Sequence, residues 1–353
     1  MKKLLAVAVA TAISAPAMAD LTVYGTVAVD FISSESATTG ATNSQIQKDD
    51  VVFGMKGSST TDGGLTVGAE IKTEGTFAAP TLAYLTVANE MATLSLGKFG
   101  NPANAAETAG FSDTAELGVF SGEIDNAAAL TLSSNGFTAS IGAFQNAPTA
   151  AVAASSSVEL LAVDAANLST VNGAAAVNTG YVIIVDADGG GEAVAEAGDI
   201  VELTTVTAAT PKVDNDGFVA SLGYAADGFA VNYGYETLNG TQESTGLKAS
   251  YTADAYSVAV YKADLDVAGT NTGDIDVFGV TGSYTMGATT LSAILADQET
   301  YTATAKVNSD LTALKVAHNL GGGLSAYAEY ANTDADGTAS DVDSYTAGMS
   351  FSF

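Results

Sequence analysis

The chain has no cysteine, no tryptophan and no arginine, and it has one histidine and five prolines in 353 residues. Without cysteine there is no disulfide, no thiolate metal site and no cysteine nucleophile. All eleven basic residues are lysine, set against 40 acids, so the formal net charge is −29. Such an acidic chain makes a poor partner for nucleic acid and a good one for cations. The lone His318 shares its parity with Leu314 and Val316 and so belongs to an apolar face. No Gly-x-Ser-x-Gly stretch accompanies it. Gly189–Gly191 and Gly321–Gly323 do not lead from a strand into a helix with phosphate-loop spacing. The sequence therefore reads as non-enzymatic. Beyond the first 20 residues there is also no run of eighteen apolar residues, which excludes a membrane-spanning helix.

The start of the chain has a pattern of its own. Lys2 and Lys3 precede a short apolar run, Leu4 to Ala15, and then Ala17-Met18-Ala19. This is the layout of a secretory signal peptide over residues 1–19, with Asp20 as the expected mature start. Its removal takes away two lysines and no acids, leaving a charge of about −31 (−29 − 2).

From residue 20 onward period two dominates. Leu21, Val23, Gly25, Val27, Val29 and Phe31 share one face, while Thr22, Tyr24, Thr26, Ala28 and Asp30 share the other. The same alternation recurs at 65–72, 229–236 and 324–330. Short turns fall at 60–63, 89–91, 134–136, 226–228, 252–255, 286–287 and 321–323. Longer acidic loops alternate with them, near 34–49, 75–80, 100–126, 146–216, 238–244, 264–274, 298–307 and 333–342. Seven short turns and eight loops join sixteen strands. An even strand count with tight turns on one side and long loops on the other predicts an all-β, sixteen-stranded antiparallel transmembrane barrel over 20–353. A soluble sandwich would not need that regular alternation, and a secreted adhesin or surface-layer protein would not need clean apolar faces on every strand or an aromatic end.

The faces set inside and outside. A lysine facing lipid at the midplane costs about 2–4 kcal/mol. Most apolar faces carry no charge, whereas the opposite faces hold Asp30, Lys56, Glu70, Lys72, Glu236, Lys248, Lys315 and Glu329. The apolar rows are thus expected to meet lipid, and the others a wet lumen. With no Trp, the interfacial belts fall to Tyr and Phe; Phe137, Phe218, Phe229 and Tyr284 are expected beside the short turns. The closing stretch YTAGMSFSF has the parity of a last strand, with Tyr345, Phe351 and Phe353 outward, closing against Leu21–Phe31.

Several stretches resemble the N-terminal strands of the Gram-negative general porins, the trimeric diffusion channels of the outer membrane. They are Leu21-Thr-Val-Tyr-Gly25, Val52-Phe-Gly-Met-Lys-Gly57, Gly64-Leu-Thr-Val67, Ala83-Tyr84 and Leu96-Gly-Lys98. The resemblance implies a barrel in the outer membrane, usually a homotrimer, that passes small hydrophilic solutes and ions. It also implies that the third long loop, here 100–126, folds into the barrel and faces a basic wall. That loop holds Glu107, Asp113, Glu116, Glu123 and Asp125 and no lysine. On the wall, Lys56 points inward by parity. Lys98, where the family has arginine, reaches the lumen only if Gly97 forms a bulge. Lys72 either lines the wall or pairs with Glu70 or Glu74. The second loop, 75–80, is shorter than the loop that latches subunits together in that family. By the same resemblance the terminal aromatics Tyr345, Phe351 and Phe353 form the signal read by the outer-membrane assembly machinery.

An excess of acids at the narrowest point predicts cation preference, because only charges within about a Debye length, ~10 Å at 0.1 M salt, act there. The alternative is a non-conducting structural or adhesive barrel. Asn332, Asp334, Asp336 and Asp343 approach the spacing of a Ca²⁺ loop, although Asp-Gly also simply makes turns. No other cofactor is expected. Residues 146–216 exceed an ordinary connection. There Tyr181–Asp186 and Asp199–Val206 suggest a small hairpin in an extracellular cap, or else two further strands that would make eighteen.

Overall fold

The computed structural model describes residues 20–36, 41–75, 79–107, 118–149, 155–162, 179–185, 200–207, 213–269, 272–303, 305–335 and 342–353. The signal segment, Asp113, Glu116 and Asp336 lie outside the described residues.

The chain runs through β1 (Asp20–Ser36), β2 (Thr42–Thr60), β3 (Thr66–Glu74), β4 (Pro80–Ala88), β5 (Ala92–Gly100), β6 (Glu123–Ser134) and β7 (Phe137–Thr149). Then come β8 (Ser155–Ala162), β9 (Thr179–Val185) and β10 (Ile200–Thr207). The rest are β11 (Val213–Ala226), β12 (Phe229–Leu238), β13 (Gln242–Thr252), β14 (Tyr256–Val267), β15 (Ile275–Met286), β16 (Thr289–Tyr301), β17 (Lys306–Gly321), β18 (Leu324–Ala335) and β19 (Val342–Ser352). β1–β7 and β11–β19 form one closed antiparallel barrel of sixteen strands. β8–β10 belong to a second compact unit, Pro148–Asp214, as a separate sheet with β10 in the centre. The anticipated hairpin is β9–β10, with Val185 opposite Ile200, and β8 adds a third strand that the sequence pattern had not indicated. Because these strands form their own sheet, the barrel has sixteen strands and not eighteen.

All seven tight turns are present. Asn135-Gly136 and Asp227-Gly228 both have positive φ at each position (51° and 82°, 50° and 84°), the conformation that lets a two-residue turn match strand twist. The opposite side is less loopy than its acidity suggested. β12 and β13 are joined by three residues, with Asn239 and Gly240 also at positive φ. Charged residues there extend strands, so β2 reaches 19 residues and β17 16.

Closure joins β1 to β19, with Val27 opposite Phe351 and Phe31 opposite Ala347. The last residue is held as well: Gly25 N donates to Phe353 O, and Phe353 N donates to Gly25 O, both at 3.1 Å. A closed sheet has no edge, so every strand can satisfy its backbone without water.

Leu21, Val23, Val27, Val29 and Phe31 are exposed on the outer surface, as are Leu222, Leu247, Leu295 and Leu314 on later strands. Aromatic rings on this surface form two levels. Phe137–Tyr224 (4.5 Å) and Phe229–Tyr251 (4.4 Å) lie near the short turns; Phe218–Tyr235 (6.4 Å) and Tyr330–Tyr345 (5.2 Å) lie toward the long loops. Phe218 therefore belongs to the loop-side belt. Its strand begins at Val213 and runs on to the turn at 227, which a reading of local polarity alone missed. Beyond that belt the outer row turns acidic: Asp264 and Asp276 stand opposite each other, and Lys262 meets Asp264 at 2.5 Å.

Candidate functional site

The third loop begins where β5 ends. Asn101 caps a short 3-10 turn, Pro102–Ala106, by accepting from Ala103 N at 3.0 Å, and Pro102 fits the first position, where no N–H is needed. The turn packs on the inner wall of β12 and β13. Gly234 and Gly246 are direct partners there, and their missing side chains make room. A Cβ on Gly234 would stand 2.6 Å from Ala103 O, and one on Gly246 would stand 2.8 Å from the Phe120 ring. Ala103, Ala106, Val119 and Phe120 join Phe99, Ile124, Tyr261, Ala263 and Val277 in one buried cluster. The inner wall beneath the loop is thus buried and largely apolar, a departure from the wholly wet inner face implied by strand parity.

Two carboxylates pin the loop. Glu236 of β12 is 3 % exposed. It accepts from Asn101 Nδ2 at 2.6 Å, Ser121 N at 2.9 Å and Ser121 Oγ at 2.5 Å. Glu107 folds back to accept from Val119 N at 3.0 Å, while its own carbonyl accepts from Lys248 Nζ at 2.7 Å. Ser244 Oγ adds a bond to Val119 O at 2.8 Å. Burial pushes the Glu107 carboxyl above its ordinary range and the charge of Glu236 adds to this; the Val119 and Phe120 N–H groups and Lys248 act in the opposite direction.

The expected constriction acids thus occupy different settings. Glu107 is buried and ties its own loop together. Glu123 is exposed at the start of β6. Asp125 lies 3.8 Å from Lys98. Gly97 has φ of +124° and the β5–β6 ladder shifts between Gly97 and Phe99, so the bulge set as the condition for an inward Lys98 exists. Lys98 nevertheless stands opposite Ala83, in line with Ile71 and Met55 of the outer surface.

On the inner wall of β1–β4, Lys56 and Glu70 are direct partners, and Tyr84 is next in the row. Both tyrosines, Tyr24 and Tyr84, donate their hydroxyls to Glu70, the second at 2.7 Å. Lys72 pairs with Glu74 at 2.5 Å. Lys315 and Glu329 form a wall pair at 3.5 Å, and Tyr327 donates to Asp30.

The calcium-like stretch is largely strand. Asn332 and Asp343 face each other across β18–β19, and Asp343 Oδ1 accepts from Asn332 Nδ2 (3.0 Å) and Tyr330 OH (2.8 Å). Asp334 is in β18 opposite Asp310. Among the described residues no group of three or more His, Cys, Asp or Glu could hold a metal. His318 Nδ1 meets Thr289 Oγ1 at 2.8 Å, exposed.

Sequence reasoning did not single out Asn101, Ser121, Gly234 or Gly246. Two glycines at matching inward positions on adjacent strands were the available signal for a close approach of backbone.

Known structures share this architecture. The trimer form of OmpT, an outer membrane protein of Vibrio cholerae, aligns with a TM-score of 0.61 at 13% identity, over 95% of this chain and 99% of its own. An anion-selective porin from Comamonas acidovorans gives 0.61 at 12%, over 95% and 100%. A variant of Rh. blastica porin gives 0.56 at 15%, over 94% and 100%. These likenesses are to the fold. No curated protein sequence matches the chain. The family model described as Gram-negative porin matches residues 6–338. The chain belongs to the Gram-negative porin family.

Proposed function

We propose that this porin is a passive, water-filled and cation-preferring channel for small hydrophilic solutes and ions, exported by residues 1–19 and assembled as a homotrimer. The observation that carries the channel reading is that the described ends of the third loop, 101–107 and 118–122, pack on the inner wall and are fastened to β12 through Glu236 and to β13 through Lys248 and Ser244. A barrel serving only as a structural or adhesive surface would have no use for a pinned internal constriction.

The charge balance supports cation preference. Of the described lysines on the inner wall, Lys72 and Lys315 are neutralised by adjacent carboxylates, Lys248 serves the loop, and Lys56 stands beside Glu70. Asp113 and Glu116 add two loop acids with no lysine in that loop. Low-dielectric walls focus such fields on the lumen. The trimer form of the Vibrio cholerae relative supports the homotrimer. Catalysis has no part in this reading: His318, bonded to Thr289 Oγ1, lies on the outer row beside a short turn and away from the lumen. For Asn332, Asp334, Asp336 and Asp343 we favour strand and turn roles over a calcium site, because Asp343 is already engaged by Asn332 and Tyr330.

The test is the zero-current potential of the purified protein across a planar bilayer in a salt gradient. The cation-selective sign is expected, and it should weaken in the Asp113→Asn/Glu116→Gln variant. An unchanged potential in that variant would remove these residues from the constriction.

A further inference from the structure

We infer that the inner wall of β1–β4 carries a subsite for small zwitterionic solutes, of which free α-amino acids are the chemical type. This rests on the channel reading above. Lys56 and Glu70 are direct cross-strand partners facing the lumen, about 5 Å apart at Cβ in such a pair. Opposite charges so placed normally close on one another. Here they do not. Glu70 is held by the hydroxyls of Tyr24 and Tyr84, one on each carboxylate oxygen. Lys56 lies over the Tyr24 ring, 5.5 Å from its centroid, and is exposed. Among the described lysines of the inner wall, Lys56 alone lacks an oxygen partner.

The two tyrosines thus keep a positive and a negative group side by side and separate. Each carboxylate oxygen retains a lone pair, because one phenol occupies only one acceptor position. The ammonium retains its three donors. Between them opens a niche of about 290 Å³, floored by Gly68 and edged by Thr22, Ser58 and Thr86. A side chain at Gly68 would intrude, since its Cβ would lie 2.6 Å from Thr86 Oγ1. A solute with its own ammonium and carboxylate a few bonds apart reaches both groups at once, carboxylate to Lys56 and ammonium to Glu70. A simple anion reaches one group and is repelled by the other, and a polyol matches neither charge.

The experiment is single-channel recording with L-threonine, erythritol or propionate added at rising concentration. Wild type should show saturable excess current noise with L-threonine and none with the other two. Lys56→Gln and Glu70→Gln should each weaken the apparent affinity about twofold to fivefold, the scale of an exposed charge contact. Lys56→Arg should preserve it, and Lys72→Gln, which alters a lysine already paired, should leave it unchanged. Steady conductance without a saturable L-threonine effect overturns the subsite while leaving the channel intact. An equal response to propionate overturns its zwitterionic character. A bilayer that stays silent overturns the channel reading itself, and the subsite with it.

Discussion

Replacing Glu236 with alanine should free the third loop while leaving the barrel standing. The carboxylate is almost fully buried and satisfies three donors, Asn101 Nδ2, Ser121 N and Ser121 Oγ. Each buried donor left without an acceptor costs about 1–3 kcal/mol. The losses are not additive, so a total of about 3–4 kcal/mol, one to two of these donors' worth, is taken. At 1.4 kcal/mol per factor of ten, the docked-to-released ratio should fall by roughly two to three orders of magnitude. The barrel should persist, because the β12 ladder pairs Glu236 with Val219 and Ser244 through backbone that the substitution does not touch. The assay is single-channel recording, supported by proteolysis of loop 101–122 in detergent. Open-channel noise and cleavage should both rise, with heat-resistant barrel retained. Unchanged noise and unchanged cleavage would refute the claim that Glu236 holds the loop.

Glu107 predicts a pH dependence of the same loop. Its carboxyl is raised chiefly by burial, so docking favours the protonated form. The contribution is complete below the ordinary glutamic acid range and fades as pH rises through the elevated value. Acidification should therefore quiet the loop noise, and Glu107→Gln should flatten that dependence; equal slopes in both proteins would contradict the assignment. Gly234→Val places a side chain against Ala103 O and Ala106 and should displace the 3-10 turn, read as a change in conductance with normal assembly. Deleting Phe353 removes the terminal pair with Gly25 and an outer ring, so assembled protein in the membrane should drop far more than conductance changes. A change in conductance with normal assembly would mean the ending has another role.

The barrel was legible because its physics is written along each strand. Period two, seven tight turns and a terminal strand of full length leave little freedom once one face must meet lipid. The partner of YTAGMSFSF was legible for the same reason: a closed sheet gives the last strand only the first to join. The loop site was not legible to the same degree. Which acid points into a pore depends on where a loop bends, and Glu107 turned back to its own loop because unpaired N–H groups at Val119 and Phe120 needed an acceptor. Lys98 shows a second limit. A bulge at Gly97 could be foreseen from the glycine, but the pairing with Ala83 that fixes the side is a tertiary fact. Tyr24 read as an ordinary inward tyrosine and Tyr84 only as part of a motif, until the structure brought both hydroxyls to Glu70.

The proposed function stands on conduction through a lumen narrowed by the third loop. Purified wild-type protein in a planar bilayer tests it most directly. Stable stepwise openings in groups of three are expected, with a zero-current potential of the cation-selective sign in a salt gradient. Correctly folded barrel that yields no steps would contradict it.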